Sequence, residues 1–487
     1  AVVEVRPETV GADEVAARVA EAVTTGFDVT QQVPIRVRLF SVAPDEHVLV
    51  VVVHHISADG YSMGPLTRDV VTAYAARVAG GEPGWVPLEV QYADYTLWQR
   101  EVLGDESDPE SLMARETDFW KRTLADLPEE STLPSDRPRP AVASYRGASH
   151  RLTLDERVRA AIADLARRSG ATEFMVVHAA LAVLLARLGG NDDITIGTPV
   201  AGRGDAALDD LVGMFVNTLV LRTPVEPGAS FGDFLDTVRT ADLEAFTHAD
   251  VPFERLVEVL DPPRSQARHP LFQVMLTFQN MPVSQLELPE LTVSGIDFDA
   301  QVAKFDLQVT VADVVDAAGD PAGLVVEFNY ATELFDPQTV VGVAERFSRI
   351  LEAVTTDPRV AVGDVPLVTD GELDRILTEW NTLGESVPVV EPATLAARFD
   401  AAVRAHAANA AVTHGETTLT YAELGARANR IARRLVAAGV RPGTLVAVAL
   451  PRTEDLVVAL TAVVLSGGAY LPIDTAHPQD RVRYILD

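Results

Sequence analysis

The chain has 487 residues, 47% of them apolar, which is enough for more than one packed domain. It contains no cysteine, so disulfides, thiolate metal sites and a cysteine nucleophile are excluded. Against 71 acidic residues stand 40 basic ones, and the net charge of −31 repels phosphate backbones and anionic membranes, arguing against nucleic acid or membrane partners.

The opening Ala1-Val-Val-Glu-Val5 reads as a strand already under way, without an initiator methionine or a charged-then-apolar leader. No apolar run reaches bilayer length, and Leu456 to Leu471 is broken by Gly467-Gly468. The expectation is a piece of a longer cytoplasmic polypeptide, cut at both ends. Glu14 to Val23 and Met63 to Ala79 carry helical patterns; Ile35 to Phe40 and Val48 to Val53 read as strands. Residues 127–147, rich in proline and polar side chains, suit an ordered crossing between two lobes. A helix from Glu173 to Leu188, apolar nearly all round, ends at Gly189-Gly190 and feeds a strand at Ile194 to Gly197. After the strand Gly323 to Tyr330, residues 369–392 read as a linker with Pro388 and Pro392 near its end. A new α/β unit follows, with a helix at Leu395 to Ala405, another opened by Leu419-Thr-Tyr-Ala-Glu-Leu424, and a strand at Leu445 to Leu450.

The chemistry concentrates where the six apolar residues Val48 to Val53, read as a buried strand, run into His54-His55-Ile-Ser-Ala-Asp59-Gly60. Neighbouring side chains of an extended chain diverge, so only one of His54 and His55 faces a given cavity. A neutral imidazole there accepts a proton from an attacking amine or hydroxyl, or holds that nucleophile in line. Gly60 permits a tight turn that aims Asp59 back at the strand end. Asp59 either orients the imidazole or pairs with an arginine to hold the loop, and the structural role is favoured. Diverging histidines and the lack of a His-Glu-x-x-His helix speak against a metal site. His178 reads as a core residue, and His47, His150, His406, His414 and His477 as surface residues. No Gly-x-Ser-x-Gly elbow and no phosphate loop is present, which leaves a histidine-assisted acyl transfer without a covalent enzyme intermediate.

The run His54-His55-Ile-Ser-Ala-Asp59-Gly60 resembles the HHxxxDG signature of condensation domains in nonribosomal peptide synthetases, within the chloramphenicol-acetyltransferase-like superfamily. Further segments resemble that family's motifs in order: Tyr92-Ala-Asp-Tyr-Thr-Leu-Trp98, Ile196-Gly-Thr-Pro-Val-Ala-Gly-Arg203, Val212-Gly-Met-Phe-Val-Asn-Thr-Leu219, His248-Ala-Asp-Val-Pro-Phe-Glu254 and Arg268-His-Pro-Leu-Phe-Gln273. The tail, with Leu419-Thr-Tyr-Ala-Glu-Leu424 and Leu465-Ser-Gly-Gly-Ala-Tyr-Leu-Pro-Ile-Asp474, resembles the opening of an adenylation domain, and the chain stops before that family's ATP-gripping loop.

The resemblance implies an α/β (α+β) fold: a two-lobed pseudo-dimer around a central tunnel, followed by a truncated α/β segment. The lobes would span residues 1–140 and 141–368, the linker 369–392 and the adenylation fragment 393–487. The family's two opening motifs would precede Ala1, which puts activity of the chain by itself in question. It implies amide formation between a donor aminoacyl or peptidyl thioester and an acceptor amine, both on phosphopantetheine arms of upstream and downstream carrier domains. No cofactor is bound by the domain itself, and the adjoining adenylation domain is a further partner. His55 would be the tunnel-facing histidine, His54 its support, Asp59 and Gly60 the loop-stabilising pair, and Arg203 the ion-pair partner of Asp59. Tyr61 stands where the family often has tryptophan. Ser62-Met-Gly-Pro65 and the second-lobe motifs look more like the type that joins two L-configured residues. An epimerisation domain and a non-catalytic carrier-docking platform are the competing readings.

Overall fold

Alternation of apolar residues builds the first sheet of the computed structural model, which describes residues 5–128, 133–279, 291–296, 301–315, 321–381 and 394–486. A short strand Glu8–Thr9 (β1) pairs in parallel with Ile35–Ala43 (β2), which turns tightly into its antiparallel neighbour Glu46–Val53 (β3). Between β1 and β2 the helix Val15–Thr24 (α1) lays Val19 and Ala22 on the sheet, against Val10, Phe40 and Val50. The expected strand at Ala1 to Val5 lies almost wholly outside the described residues. β3 also departs from expectation. It is the edge strand of the order β1-β2-β3, and only Val50 of its apolar run is fully buried, while Leu49 is 53% exposed. The pleat sends alternate residues of the run to opposite faces, and α1 covers one of them.

Three helices follow: Met63–Val78 (α2), Tyr92–Leu103 (α3), with a reciprocal cap between Gln91 and Asp94, and Leu112–Thr123 (α4), capped by Ser111. Trp120 of α4 is buried and donates its indole N–H to His248 O at 2.8 Å, which ties α4 to the second lobe. The described part of the proline-rich crossing is ordered by two arginines. Arg139 forks onto Asp306, and Arg137 binds Asp336.

The second lobe is built on a six-stranded sheet. Its elements in chain order are Gly147–Asp155 (β4), Glu156–Arg168 (α5), Glu173–Gly189 (α6), Asp193–Val200 (β5), Asn217–Pro224 (β6), Phe231–Thr247 (α7), Phe253–Leu260 (α8), Val274–Gln279 (β7), Leu307–Val315 (β8), Pro321–Ala331 (β9) and Pro337–Thr356 (α9). Strand order is β4-β9-β8-β7-β5-β6, with β5, β7 and β8 parallel. α6 is buried from Met175 to Ala186, capped by Thr172 and ended by Gly190 in the left-handed conformation. A helix apolar all round needs neighbours on every side, and α5, α7, α9 and β5 supply them. Its His178 is buried as expected, with Nδ1 3.0 Å from Asp242 and Nε2 3.3 Å from the Thr223 hydroxyl.

A separate compact unit comprises Asp370–Asp487. Residues 370–379, expected within the linker, form a short helix Asp370–Asp374 (α10) and a π-helical turn Arg375–Glu379; Pro388 and Pro392 lie outside the described residues. The unit then runs Leu395–Ala405 (α11), a hairpin of Ala410–His414 (β10) and Thr417–Thr420 (β11), and Tyr421–Ala437 (α12). It closes with a parallel pair, Leu445–Val448 (β12) and Ala469–Pro472 (β13), bridged by Glu454–Leu465 (α13), and a final helix Gln479–Leu486 (α14). Among the described residues no single helix is long and apolar enough to cross a membrane.

Phe328 of β9 is fully buried and meets Phe347 of α9 edge to face, with ring centroids 5.9 Å apart. Phe328→Ala is expected to destabilise the first unit by ~3–5 kcal/mol, read as a lower urea midpoint of its unfolding transition.

Candidate active site

Past the end of β3, the His54 amide donates to Pro34 O at 2.9 Å and the His54 carbonyl accepts from Ser57 N at 2.9 Å, closing a turn. The His54 ring belongs to that turn. Its Nδ1 accepts from Ile56 N at 3.1 Å, and the ring stands perpendicular to Phe27 with centroids 6.0 Å apart. His55 is exposed and has no hydrogen-bond partner among the described residues, so both of its ring nitrogens are available to a substrate. One imidazole is held and the other is exposed, but residues 54–57 form a turn past the end of β3, so the division comes from that turn and not from extended-strand alternation.

Asp59 is 3% exposed and does not face either imidazole. It points into the second lobe. Oδ1 accepts from the Ser62 hydroxyl at 2.7 Å and from Ser62 N at 2.8 Å, and Oδ2 accepts from Phe215 N at 3.0 Å. Arg203 Nη2 lies 3.3 Å from Oδ1, an ion pair with both side chains buried. The expectation that Gly60 aims Asp59 back at the strand end is therefore corrected. Gly60 is exposed and its carbonyl accepts from Met63 N, so it opens α2 while Asp59 is drawn across to the amides and the guanidinium opposite.

Arg203 is held through both terminal nitrogens, while its buried Nε has no hydrogen-bond partner among the described residues. Nη1 donates to Leu208 O and Leu211 O, and the guanidinium carbon lies 4.0 Å from the Phe215 ring centroid and 4.8 Å from that of Tyr61. Glycine is required here at two places. Gly202 has φ +63°, and a side chain on it would meet Phe215 O; one on Gly213 would meet the Tyr92 ring. Tyr92 donates its hydroxyl to Met214 O at 2.6 Å, so the aromatic motif of α3 packs on the segment that holds Asp59. Burial disfavours the Asp59 carboxylate, but hydrogen bonds from Ser62 and Phe215 and the Arg203 charge outweigh it and hold the carboxyl below the usual carboxylate range.

The remaining motif residues serve the lobe junction. Asn217 Nδ2 donates to Ala249 O and Val251 O at 2.8 and 2.7 Å, and its Oδ1 accepts from Phe253 N, so backbone capping is its role. His248 stacks on Phe119 with centroids 3.8 Å apart and sits 2.8 Å from Glu116 Oε1. His269 lies among Phe253, Phe272 and Phe305, with Nδ1 2.9 Å from Pro270 O, and burial favours its neutral form. It borders a cavity of about 620 Å³ with Tyr145, Arg268 and Lys304, and His55 is not among the residues lining that cavity. Of the histidines expected at the surface, His150 is half-buried on β4 and the others are exposed. Among the described residues no group of three or more His, Asp or Glu side chains is placed to hold a metal ion. Ser62 is the residue that sequence reasoning missed as part of the site. The available signal was its place three residues after Asp59 at the start of a helix, the spacing at which a carboxylate accepts from a backbone amide.

Asp59→Asn leaves Arg203 buried without its counter-charge and is expected to cost ~3–5 kcal/mol in urea unfolding. Because the folded carboxyl titrates below its unfolded value, the Asp59 contribution is complete above an unfolded pKa of ~3.9 and is lost as pH falls through the lower folded value. The stability gap between the wild type and Asp59→Asn is accordingly expected to narrow below pH ~4.

Comparison with known proteins agrees with this architecture. The condensation-domain family matches residues 3–377, and the AMP-binding enzyme family matches residues 399–487. A probable non-canonical nonribosomal peptide synthetase of Salinispora arenicola is 47% identical over 484 residues, covering 99% of this chain and 6% of the relative. A dimodular nonribosomal peptide synthase of Bacillus subtilis is 46% identical over 475 residues, covering 97% of this chain and 20% of its own length. The chain thus spans a fifth or less of these curated relatives. Among solved structures, the X-domain from teicoplanin biosynthesis is similar at 35% identity and a TM-score of 0.72, over 76% of this chain and 82% of that one. A four-domain nonribosomal peptide synthetase bound to AMP and glycine is similar at 25% identity and a TM-score of 0.69, over all of this chain and 37% of that one. With the two-lobed fold, the HHxxxDG loop and the second-lobe motifs in place, the chain belongs to the condensation-domain family of nonribosomal peptide synthetases, an acyltransferase-type, amide-forming family, and continues into the start of an adenylation domain.

Proposed function

We propose that this domain joins a carrier-bound aminoacyl or peptidyl thioester to the α-amine of an aminoacyl thioester on a second carrier, acting in the cytoplasm and coupling two L-configured residues. The single observation that carries the reading is His55. It is exposed and unpartnered among the described residues, on a loop whose acid is fully engaged with the opposite lobe. The carriers, one upstream as donor and one downstream as acceptor, would present the substrates on phosphopantetheine arms.

The amine nitrogen attacks the thioester carbonyl, a C–N bond forms, the C–S bond breaks, and the amine's proton leaves with the thiol. A free α-amine titrates near ~8, so an appreciable fraction is already neutral at cellular pH. Alignment of the two arms is worth up to ~7–11 kcal/mol in favourable cases, more than proton removal from an amine that is partly neutral. His55 therefore acts chiefly by holding the amine in line and hydrogen-bonding the charge that develops on attack.

Similarity to the X-domain in a complex with OxyB from teicoplanin biosynthesis favours one second reading, a platform that docks a partner without catalysis. This chain keeps His54, His55, Asp59 and Gly60 together, which supports catalysis over docking alone. The test is incubation of the intact module with donor- and acceptor-loaded carriers, read by mass spectrometry. Dipeptide supports condensation, α-proton exchange without coupling supports epimerisation, and neither product supports the platform. His55→Ala is expected to lower the coupling rate across pH ~6–9; a loss confined to the acid side would mean that His55 works as a base instead.

A further inference from the structure

Ser62 is the buried polar residue on which both lobes converge. It follows Gly60 and Tyr61, it is fully buried, and its hydroxyl lies within hydrogen-bond reach of five groups. The one proton has two acceptors in range, Asp59 Oδ1 at 2.7 Å and Gly213 O at 2.9 Å. The oxygen receives Arg203 Nη2 at 3.0 Å and Gly213 N at 3.1 Å, with Asp59 N more distant at 3.4 Å. Asp59 and Ser62 come from the His55 loop, whereas Gly213 and Arg203 come from the second lobe. Gly213 is 151 residues away along the chain. The loop is pinned at its start by the His54–Pro34 backbone bond and at its end by Ser62, with His55 between them.

We infer that Ser62 is a positioning residue for the reaction: its hydroxyl fixes the His55 loop against the Gly213–Phe215 segment, so that the imidazole is presented in one place. This rests on the catalytic reading of His55 given above. Removing the hydroxyl leaves the Asp59–Arg203 ion pair and the Phe215 amide bond in place, because neither passes through Ser62. What is lost is one proton, shared between Asp59 Oδ1 and Gly213 O, and the oxygen that accepts from Arg203 Nη2, Gly213 N and Asp59 N. A displacement of about 1 Å at a reacting group costs up to ~100-fold in rate, so the effect falls on turnover more than on binding.

The test is a double-mutant cycle in the intact module with loaded carriers. Ser62→Ala is expected to lower kcat about 10- to 100-fold, with KM for the acceptor carrier changed less than about twofold. In a His55→Ala background the same substitution is expected to add no further loss, since its effect passes through His55. Equal losses in the two backgrounds would overturn the inference. If Ser62→Ala does not fold, Ser62→Cys, similar in shape and weak in hydrogen bonding, carries the same comparison. Hydrogen exchange reads the coupling apart from turnover: Ser62→Ala is expected to raise exchange in residues 56–60 and 213–215 together, and unchanged protection in either segment would refute it. Absence of amide formation by the wild type would sink the proposed reaction instead, and exchange would still decide the coupling.

Discussion

The site depends on one buried charge pair. The Asp59 and Arg203 side chains are 0% and 2% exposed, and they lie 144 residues apart in sequence. Such a pair is not stabilising by default, because removing two ions from water costs several kcal/mol each, and their attraction offsets this only when the other lone pairs and protons are met. Here they largely are. The carboxylate receives the Ser62 hydroxyl, the Ser62 amide and the Phe215 amide, while the guanidinium donates to two carbonyls and lies against two aromatic rings. The pair therefore gives specificity of place more than strength. The His55 loop reaches its conformation only where the second lobe offers Phe215 N and Arg203.

That dependence explains which parts of the fold were legible in sequence. α6 was legible because an apolar helix with a threonine cap and a glycine stop carries its own signals, and its observed bounds differ from the reading by one residue. β3 was legible as a strand but not in its burial, because an apolar run does not say whether one face or two will be covered. The loop-holding role of Asp59 was legible as the favoured alternative, but its direction was not. Local turn logic aimed it back at the strand end, while amides and a cation brought close by the tertiary fold drew it the other way. Arg203 entered through the family resemblance alone; spacing offers no means of choosing one arginine among so many. Ser62 was passed over because a serine at a helix start has an ordinary explanation, and its contacts to Gly213 exist only once both lobes are folded.

Elimination among the motif histidines supports the role proposed for His55. His54 accepts the Ile56 amide through Nδ1 and is part of a backbone turn. His248 is stacked on Phe119 and bonded to Glu116, with its carbonyl holding the Trp120 indole. His269 is enclosed by phenylalanines and engaged with Pro270 O. Each of these imidazoles is tied into the structure around it. His55 alone among them is exposed without a hydrogen-bond partner in the described residues, although it shares the segment with some of the most highly bonded polar atoms in the chain. An open imidazole between satisfied polar groups is what the proposed role toward an incoming substrate needs.

The same geometry bears on what the ring does. A general base needs a poised proton acceptor, and an orienting acid behind it raises its basicity, as in hydrolase triads. Asp59 is not behind His55, and its carboxylate is fully committed across the lobe junction. Among the described residues the imidazole therefore has no orienting acid of the kind a triad would supply, while the loop that carries it is held by hydrogen bonds on either side. A ring whose backbone is held in place and which has no such acid behind it suits the proposed task of alignment and hydrogen bonding, toward a nucleophile that is already partly neutral at cellular pH. The reaction proposed above asks little of the proton transfer and much of the geometry, and the buried pair at Asp59 and Arg203 holds the loop that carries His55.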